Sequence, residues 1–303
     1  MSQANRPNFA HPRYWPVWGA IGAMYVAAWL PWRLKMWVGK GIGLAAWRLA
    51  KRRRHITETN IRLCFPELDD AARARLVRET FIANGIGIME TATGWCRDPE
   101  HLRHRVTFKG QAHMARVLAE GKGALIIGVH FSTLDLGGAL HSLYFRADAV
   151  QRPHDNPLFA CFMGRARDTY FDAIIDRHDL RGVVRRIKAG HAVWYSPDQD
   201  FGRDASVFAP FFGIPAATVK MTARIARMTG APVMPLIFHR NPDNRTYTLE
   251  YLPPLADFPS GDEVADAARI NAFIESAIRK HPEQYLWLHR RFKTRPEGEA
   301  GFY

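Results

Sequence analysis

Gly121–Leu140 reads GKGALIIGVHFSTLDLGGAL, and this stretch decides the fold class. A Gly121-Lys122-Gly123 turn opens it. Ala124-Leu125-Ile126-Ile127-Gly128-Val129 follows, a short uninterrupted apolar run of the kind a strand buried on both faces shows. His130 ends the run, and Asp135 stands five residues later, where a helix should begin. Open α/β sheets bind ligands at the carboxyl ends of their strands, so His130 is a candidate site residue. A neutral imidazole there can take a proton from an alcohol as it attacks a carbonyl. A carboxylate on the other ring nitrogen would fix the tautomer and stabilise the imidazolium, the role expected of Asp135. Ser132-Thr133-Leu134-Asp135 also fits a capping box, so Asp135 could simply cap a helix. The two readings are compatible, because a carboxylate near a helix N-terminus stays ionised.

Working outward, further strands and helices alternate. Ala149-Val150-Gln151 reads as a strand ending in Arg152, followed by the loop Pro153–Pro157 and a helix from near Leu158. An arginine at the same sheet edge as His130 suits a phosphate or carboxylate; a loop arginine paired with an acid is the plainer alternative. His178–Lys188 reads as a basic amphipathic helix, and His191–Ser196 as a third strand running into Pro197-Asp198-Gln199-Asp200. Asp198 and Asp200 could hold a metal, position a donor or make a turn. With Asp204 they match no metal-loop spacing, so no metal is expected. Ala217–Met228 reads as a helix, Ala231–Phe238 and Tyr247–Tyr251 as strands, and Glu263–Arg279 as a helix with a polar face. The expected fold is α/β, a mixed central sheet flanked by helices.

Upstream, no charge falls between Arg13 and Arg33; the nineteen residues are YWPVWGAIGAMYVAAWLPW. Tryptophans at both ends mimic an aromatic belt, and the length is at the short end for a membrane span. A buried or interfacial helix is the alternative. Arg6 and Arg13 precede it; Arg33, Lys35, Lys40, Arg48 and Lys51–Arg54 follow, which by the positive-inside bias puts everything downstream in the cytoplasm. Residues 34–55 read as a basic helix along an anionic leaflet. The expected division is therefore residues 1–33 as tail and anchor, 34–55 as interfacial helix and 56–303 as catalytic domain. Ile56 to about Arg103 is helical in pattern, with Glu90 either solvated or in the site.

The net charge of +13 points to an anionic partner: nucleic acid, an acidic protein or a membrane face. No helix-turn-helix, zinc-finger or RRM signature supports nucleic acid. The three cysteines, Cys64, Cys96 and Cys161, make neither a disulfide framework nor a zinc site. No Gly-rich nucleotide loop or GxSxG elbow is present, which argues against a nucleotide enzyme or serine hydrolase. The tail, His281–Arg295, mixes Tyr285, Trp287 and Phe292 with four cations. It suits either a phosphorylated amphiphile at a membrane surface or docking on the core.

Taken together, HPRYWP (from His11), NIRLCFPE (from Asn60), GVHFSTLDLG, QRPHDNP, VWYSPDQDFG, SVFAPFFG (from Ser206) and EQYLWLHRRFKTRPEG resemble the late acyltransferases of lipid A biosynthesis, the lauroyl and myristoyl transferases of Gram-negative bacteria. The resemblance runs in order along nearly the whole chain. It implies a single-pass inner-membrane enzyme with a cytoplasmic catalytic domain. Such an enzyme moves a fatty acyl chain, C12–C14, from acyl carrier protein to a hydroxyl of the Kdo-modified lipid A precursor, without a cofactor. The family's His-x-x-x-x-Asp/Glu motif maps onto His130 and Asp135, and the superfamily arginine onto Arg152. His130 would be the general base of a ternary-complex mechanism, with Asp135 orienting it. Arg152, Arg290 and Arg291 would bind acceptor phosphates or Kdo carboxylates, Asn156 would also bind substrate, and Asp198 and Asp200 would shape the site. The competing functions are transfer from acyl-CoA to a glycerophospholipid and a non-catalytic, membrane-bound basic binding protein.

Overall fold

The computed structural model describes residues 7–303; the expectations resting on Met1–Arg6, including the Arg6 flank, lie outside the described residues. Its centre is a seven-stranded mixed sheet. The strands in chain order are β1 (Val106–Lys109), β2 (Ala124–Ile127), β3 (Asp148–Gln151), β4 (Ile174–Asp176), β5 (Ala192–Tyr195), β8 (Val233–Arg240) and β9 (Tyr247–Tyr251). They lie side by side as β1-β9-β8-β2-β5-β3-β4. From β8 to β4 the neighbours are parallel; β9 runs antiparallel to β8 and carries β1 parallel to itself. The apolar run of β2 is thus the middle strand, buried on both faces as its composition requires.

Alternation along the strands separates two cores. Leu125, Ile127, Val193 and Val233 face one side, with Val183 and Ile187 of α8 (Leu180–Lys188), Ile225 of α9 (Met221–Thr229) and Ile274 of α10 (Glu263–Lys280). Ala124, Ile126, Trp194 and Met234 face the other, with Met114 of α5 (Gln111–Ala119) and Leu136 and Leu140 of α6 (Leu134–His141). A two-stranded hairpin, β6 (Ser206–Phe211) and β7 (Ile214–Val219), lies apart from the main sheet. Its turn, Phe212-Gly213, takes positive φ at both residues, the geometry that matches a two-residue hairpin to strand twist. Ala217–Val219, expected to be helical, is therefore strand, and the helix starts at Met221.

The N-terminal region departs from expectation. No helix among the described residues is long and apolar enough to cross a membrane. Pro31 divides the uncharged stretch between α1 (Trp15–Trp29) and α2 (Trp32–Leu49). At about 1.5 Å per residue α1 covers ~22 Å, short of the ~30 Å hydrocarbon core. The expected single-pass anchor is replaced by two helices laid on α4 (Asp70–Cys96), with α3 (Lys51–Cys64) starting afresh after Ala50. A Cβ on Gly85 of α4 would sit 2.3 Å from the Gly39 carbonyl oxygen and 2.4 Å from the Gly43 nitrogen, so only glycine permits this approach to α2. Lys35 is buried between them, donating to the Ala28 carbonyl at 2.6 Å and to Thr93 Oγ1 at 2.9 Å. Burial, with Arg97 and Arg105 nearby, lowers its pKa to about 8.

Glu90, on α4, is neither solvated nor in the site. It is fully buried and accepts from Arg240 Nη1 at 2.8 Å and from the Tyr247 hydroxyl, pinning α4 to β8 and β9. The tail is also core: Tyr285, Trp287 and Phe292 are buried against Phe211 and Phe212, so they anchor the chain to itself.

Candidate active site

Ile127 of β2 and Tyr195 of β5 are register partners. Three residues beyond each stand His130 and Asp198, brought together at the carboxyl edge of the sheet. Asp198 Oδ1 is hydrogen-bonded to His130 Nδ1, and Asp198 Oδ2 accepts the His130 backbone N–H at 2.8 Å. The close course of the two strands needs Gly128, where a Cβ would lie 2.4 Å from Trp194 Nε1. The tail clamps both loops. Leu286 N–H donates to the His130 carbonyl at 3.0 Å, and the Tyr285 hydroxyl to the Asp198 carbonyl at 3.2 Å.

Asp198 is fully buried, while the His130 side chain keeps 22% exposure. Burial opposes charge on both groups. The mutual attraction and hydrogen bonds outweigh it, holding the His130 pKa above its ordinary value and that of Asp198 below. Asp135 adds a smaller upward pull on His130. With Nδ1 occupied, Nε2 is the ring nitrogen left for substrate.

The carboxylate expected on His130 was Asp135, and the geometry differs. Asp135 opens α6 and accepts from Arg167 Nη2 and from Trp95 Nε1 at 3.1 Å. It lines the same cleft as His130 without a hydrogen bond to the ring. Neither half of the capping box forms: the N-cap of α6 is Thr133, whose side chain caps nothing. Arg167, near the end of α7 (Pro157–Arg167), was missed, and no local signal marks it.

The other candidates separate by burial. Arg152 follows β3 at the cleft mouth, 58% exposed, with Asp155 as its partner. Asn156 caps α7, its Oδ1 accepting from Leu158 N–H at 3.0 Å and Phe159 N–H at 3.1 Å, and it lies outside the cleft lining. Asp200 lines the cleft but spends its carboxylate on Thr294, at 2.7 Å to N–H and 2.8 Å to Oγ1. Its own N–H donates to His289 Nε2 at 3.1 Å, and burial keeps that imidazole neutral, its pKa lowered to about 4. Arg291 is 1% exposed, lies outside the cleft lining, and donates to the Ala217 carbonyl at 2.7 Å and to Thr218 Oγ1 at 3.0 Å. Arg290 stacks over Tyr303, outside the cleft lining.

The cleft holds about 1100 Å³. Its buried floor is apolar: Gly138, Met163, Tyr170, Phe171 and Trp194. Its exposed mouth is mainly cationic: Arg152, Arg177, Arg224, Arg227 and Lys293 stand against the two exposed acids Asp204 and Glu263. His130 lines the same cleft. An apolar floor, a cation-rich mouth and an imidazole thus share one cleft. Among the described residues, Asp148, Asp172 and His191 bring metal-ligand atoms together, but Arg186 takes both oxygens of Asp148 and Arg146 takes Asp172. That carboxylate charge is already matched.

Residues 3–294 match the family model of the bacterial lipid A biosynthesis acyltransferases. The chain belongs to that family. It is 39% identical to a lipid A biosynthesis lauroyltransferase of Escherichia coli K12 over 99% of both chains. It is 38% identical to that organism's lipid A biosynthesis palmitoleoyltransferase, over 97% of this chain and 96% of the relative. A lipid A biosynthesis myristoyltransferase of the same organism is 28% identical over 96% of this chain and 91% of the relative. Family membership makes this lipid A acyltransferase an enzyme of acyl transfer.

Proposed function

We propose that this acyltransferase moves a fatty acyl chain from acyl carrier protein to a hydroxyl of the Kdo-modified lipid A precursor, with His130 as general base. The observation that carries this reading is the cleft itself: an imidazole held through Nδ1 by a buried carboxylate, between an apolar floor and a cationic mouth. His130 Nε2 accepts the proton of the acceptor hydroxyl as its oxygen attacks the thioester carbonyl. Asp198 stabilises the imidazolium that forms. The tetrahedral intermediate collapses, the C–S bond breaks, and His130 returns the proton to the leaving thiolate. Base help of this kind contributes about 10²–10⁴ in rate. Donor and acceptor occupy the cleft together, without an acyl-enzyme.

In this account Asp135 acts through Arg167, holding it against the cleft wall, and Arg152 meets an acceptor phosphate or Kdo carboxylate. A chain of C12–C14 lies on the Phe171–Trp194 floor. The enzyme works at the inner leaflet, with α1 and α2 as the docking helices. On α1, Trp15 and Trp29 are 64% and 68% exposed; on α2, Trp37 and Leu49 are 78% and 80% exposed on the helix that also carries Arg33, Lys40 and Arg48, the mixture an interfacial helix presents. The test is transfer by purified protein from carrier proteins bearing a panel of chains, read by product mass. A mass gain of one C12 or C14 acyl group on the precursor supports the proposal. No gain with any chain defeats it.

A further inference from the structure

The mouth of the cleft continues onto a second surface unlike the α1–α2 face. On α8, Val183 and Ile187 point into the core, which leaves Arg181, Arg185 and Lys188 in one exposed stripe at helical spacing. On α9, which packs beside α8, Ile225 and Ala226 are buried while Arg224 and Arg227 are exposed. Arg224 and Arg227 also line the cleft, so α9 joins the mouth to the helix that carries the stripe. Neighbouring cations are matched: Arg186 by Asp148 and Lys220 by Glu263. Among the described residues none of the five forms an ion pair. Five unmatched cations on two adjacent helices repel one another, and an anionic partner would relieve that.

We infer that the α8–α9 face is the dock for the acidic carrier protein that presents the acyl donor. The inference rests on the proposed donor and adds where it lands. A bilayer is the other large anionic surface, and composition decides between them. Met228 is the sole large apolar side chain exposed on α8 and α9, whereas α1 exposes Trp15, Trp18 and Trp29, and α2 exposes Trp37 and Leu49 among the cations Arg33, Lys40 and Arg48. Charge without grease suits an acidic protein helix; charge with grease suits lipid. A carrier seated on α8–α9 would feed its thioester arm past Arg224 and Arg227 towards His130, leaving the α1–α2 face to the membrane. Electrostatic docking of this kind speeds association and weakens as salt rises.

The test compares wild type with R181E/R185E, two solvent-facing changes outside the cleft lining, and with the neutral R181Q/R185Q. With lauroyl carrier protein as donor, the KM of R181E/R185E is expected to rise about ten-fold or more, with R181Q/R185Q between it and wild type. Turnover with lauroyl-pantetheine, which lacks the acidic protein, is expected to stay within about two-fold of wild type. Unchanged KM for the carrier donor overturns the inference. So does unchanged KM with lost binding to phosphatidylglycerol vesicles, which would make this face the membrane contact. A wild type that ignores carrier protein and accepts only acyl-CoA instead defeats the proposed donor, a failure distinct from that of the dock.

Discussion

Asp198 grips His130 at two points, one carboxylate oxygen on ring Nδ1 and the other on the backbone N–H. The double contact fixes both the place of the loop and the tautomer of the ring, so Nε2 faces the cleft as acceptor. The tail then holds the pair from behind, through Leu286 on the His130 carbonyl and Tyr285 on the Asp198 carbonyl.

The pair predicts a pH profile. Burial lowers the His130 pKa, but the Asp198 charge and hydrogen bond raise it by more, to above its ordinary value. A base works only when unprotonated, so kcat/KM should rise with pH through an apparent pKa above about 6.5. Asp198→Asn removes the larger upward pull and leaves burial and the smaller pull of Asp135, so the acidic limb should move to lower pH while the plateau falls. A limb unmoved in the variant would remove Asp198 from the pair.

Arg291 should be a stability residue. Its guanidinium is buried on the Ala217 carbonyl and Thr218, and Arg291→Ala strands those acceptors, at a cost of about 1–3 kcal/mol. A lower melting temperature with unchanged acceptor KM is expected. The reverse pattern would return Arg291 to substrate binding.

Glu90→Ala leaves the Arg240 charge buried without its partner, a loss of ~3–5 kcal/mol by chemical denaturation. A change under about 1 kcal/mol would show that water reaches the pair.

The cleft floor should set chain length. Phe171 is 7% exposed and closes the floor beside Gly138, where a Cβ would lie 2.9 Å from the ring. Phe171→Ala should shift the preferred donor towards longer chains, by product mass across the carrier panel. An unchanged preference would place the acyl tail elsewhere.

Much of this architecture was legible in the chain. The run Ala124–Ile127 reads as a strand covered on both faces, and His191–Ser196 and Tyr247–Tyr251 read as strands too. Short or polar strands were not: Val106–Lys109 and Ile174–Asp176 take their form from neighbours that pair with them. The same holds for Asp135. Five residues from His130 in sequence, it looked like the partner, yet the turn after β2 sends it to Arg167. Asp198, 68 residues away, reaches the ring because β5 lies beside β2 in register, a relation no local pattern reports. The aromatic-rich stretches left two readings open, and packing chooses between them. Pro31 made a span into two helices, and Trp287 and Phe292 went inside because the β6–β7 hairpin offered Phe211 and Phe212 to cover them.

The central claim is that His130 moves the proton. The direct measurement is single-turnover transfer of a lauroyl group from carrier protein to the Kdo-modified precursor by purified His130→Ala, beside wild type, at saturating substrates. A rate lower by about 10²–10⁴ with donor binding retained is the predicted result. A rate near that of wild type would contradict the account.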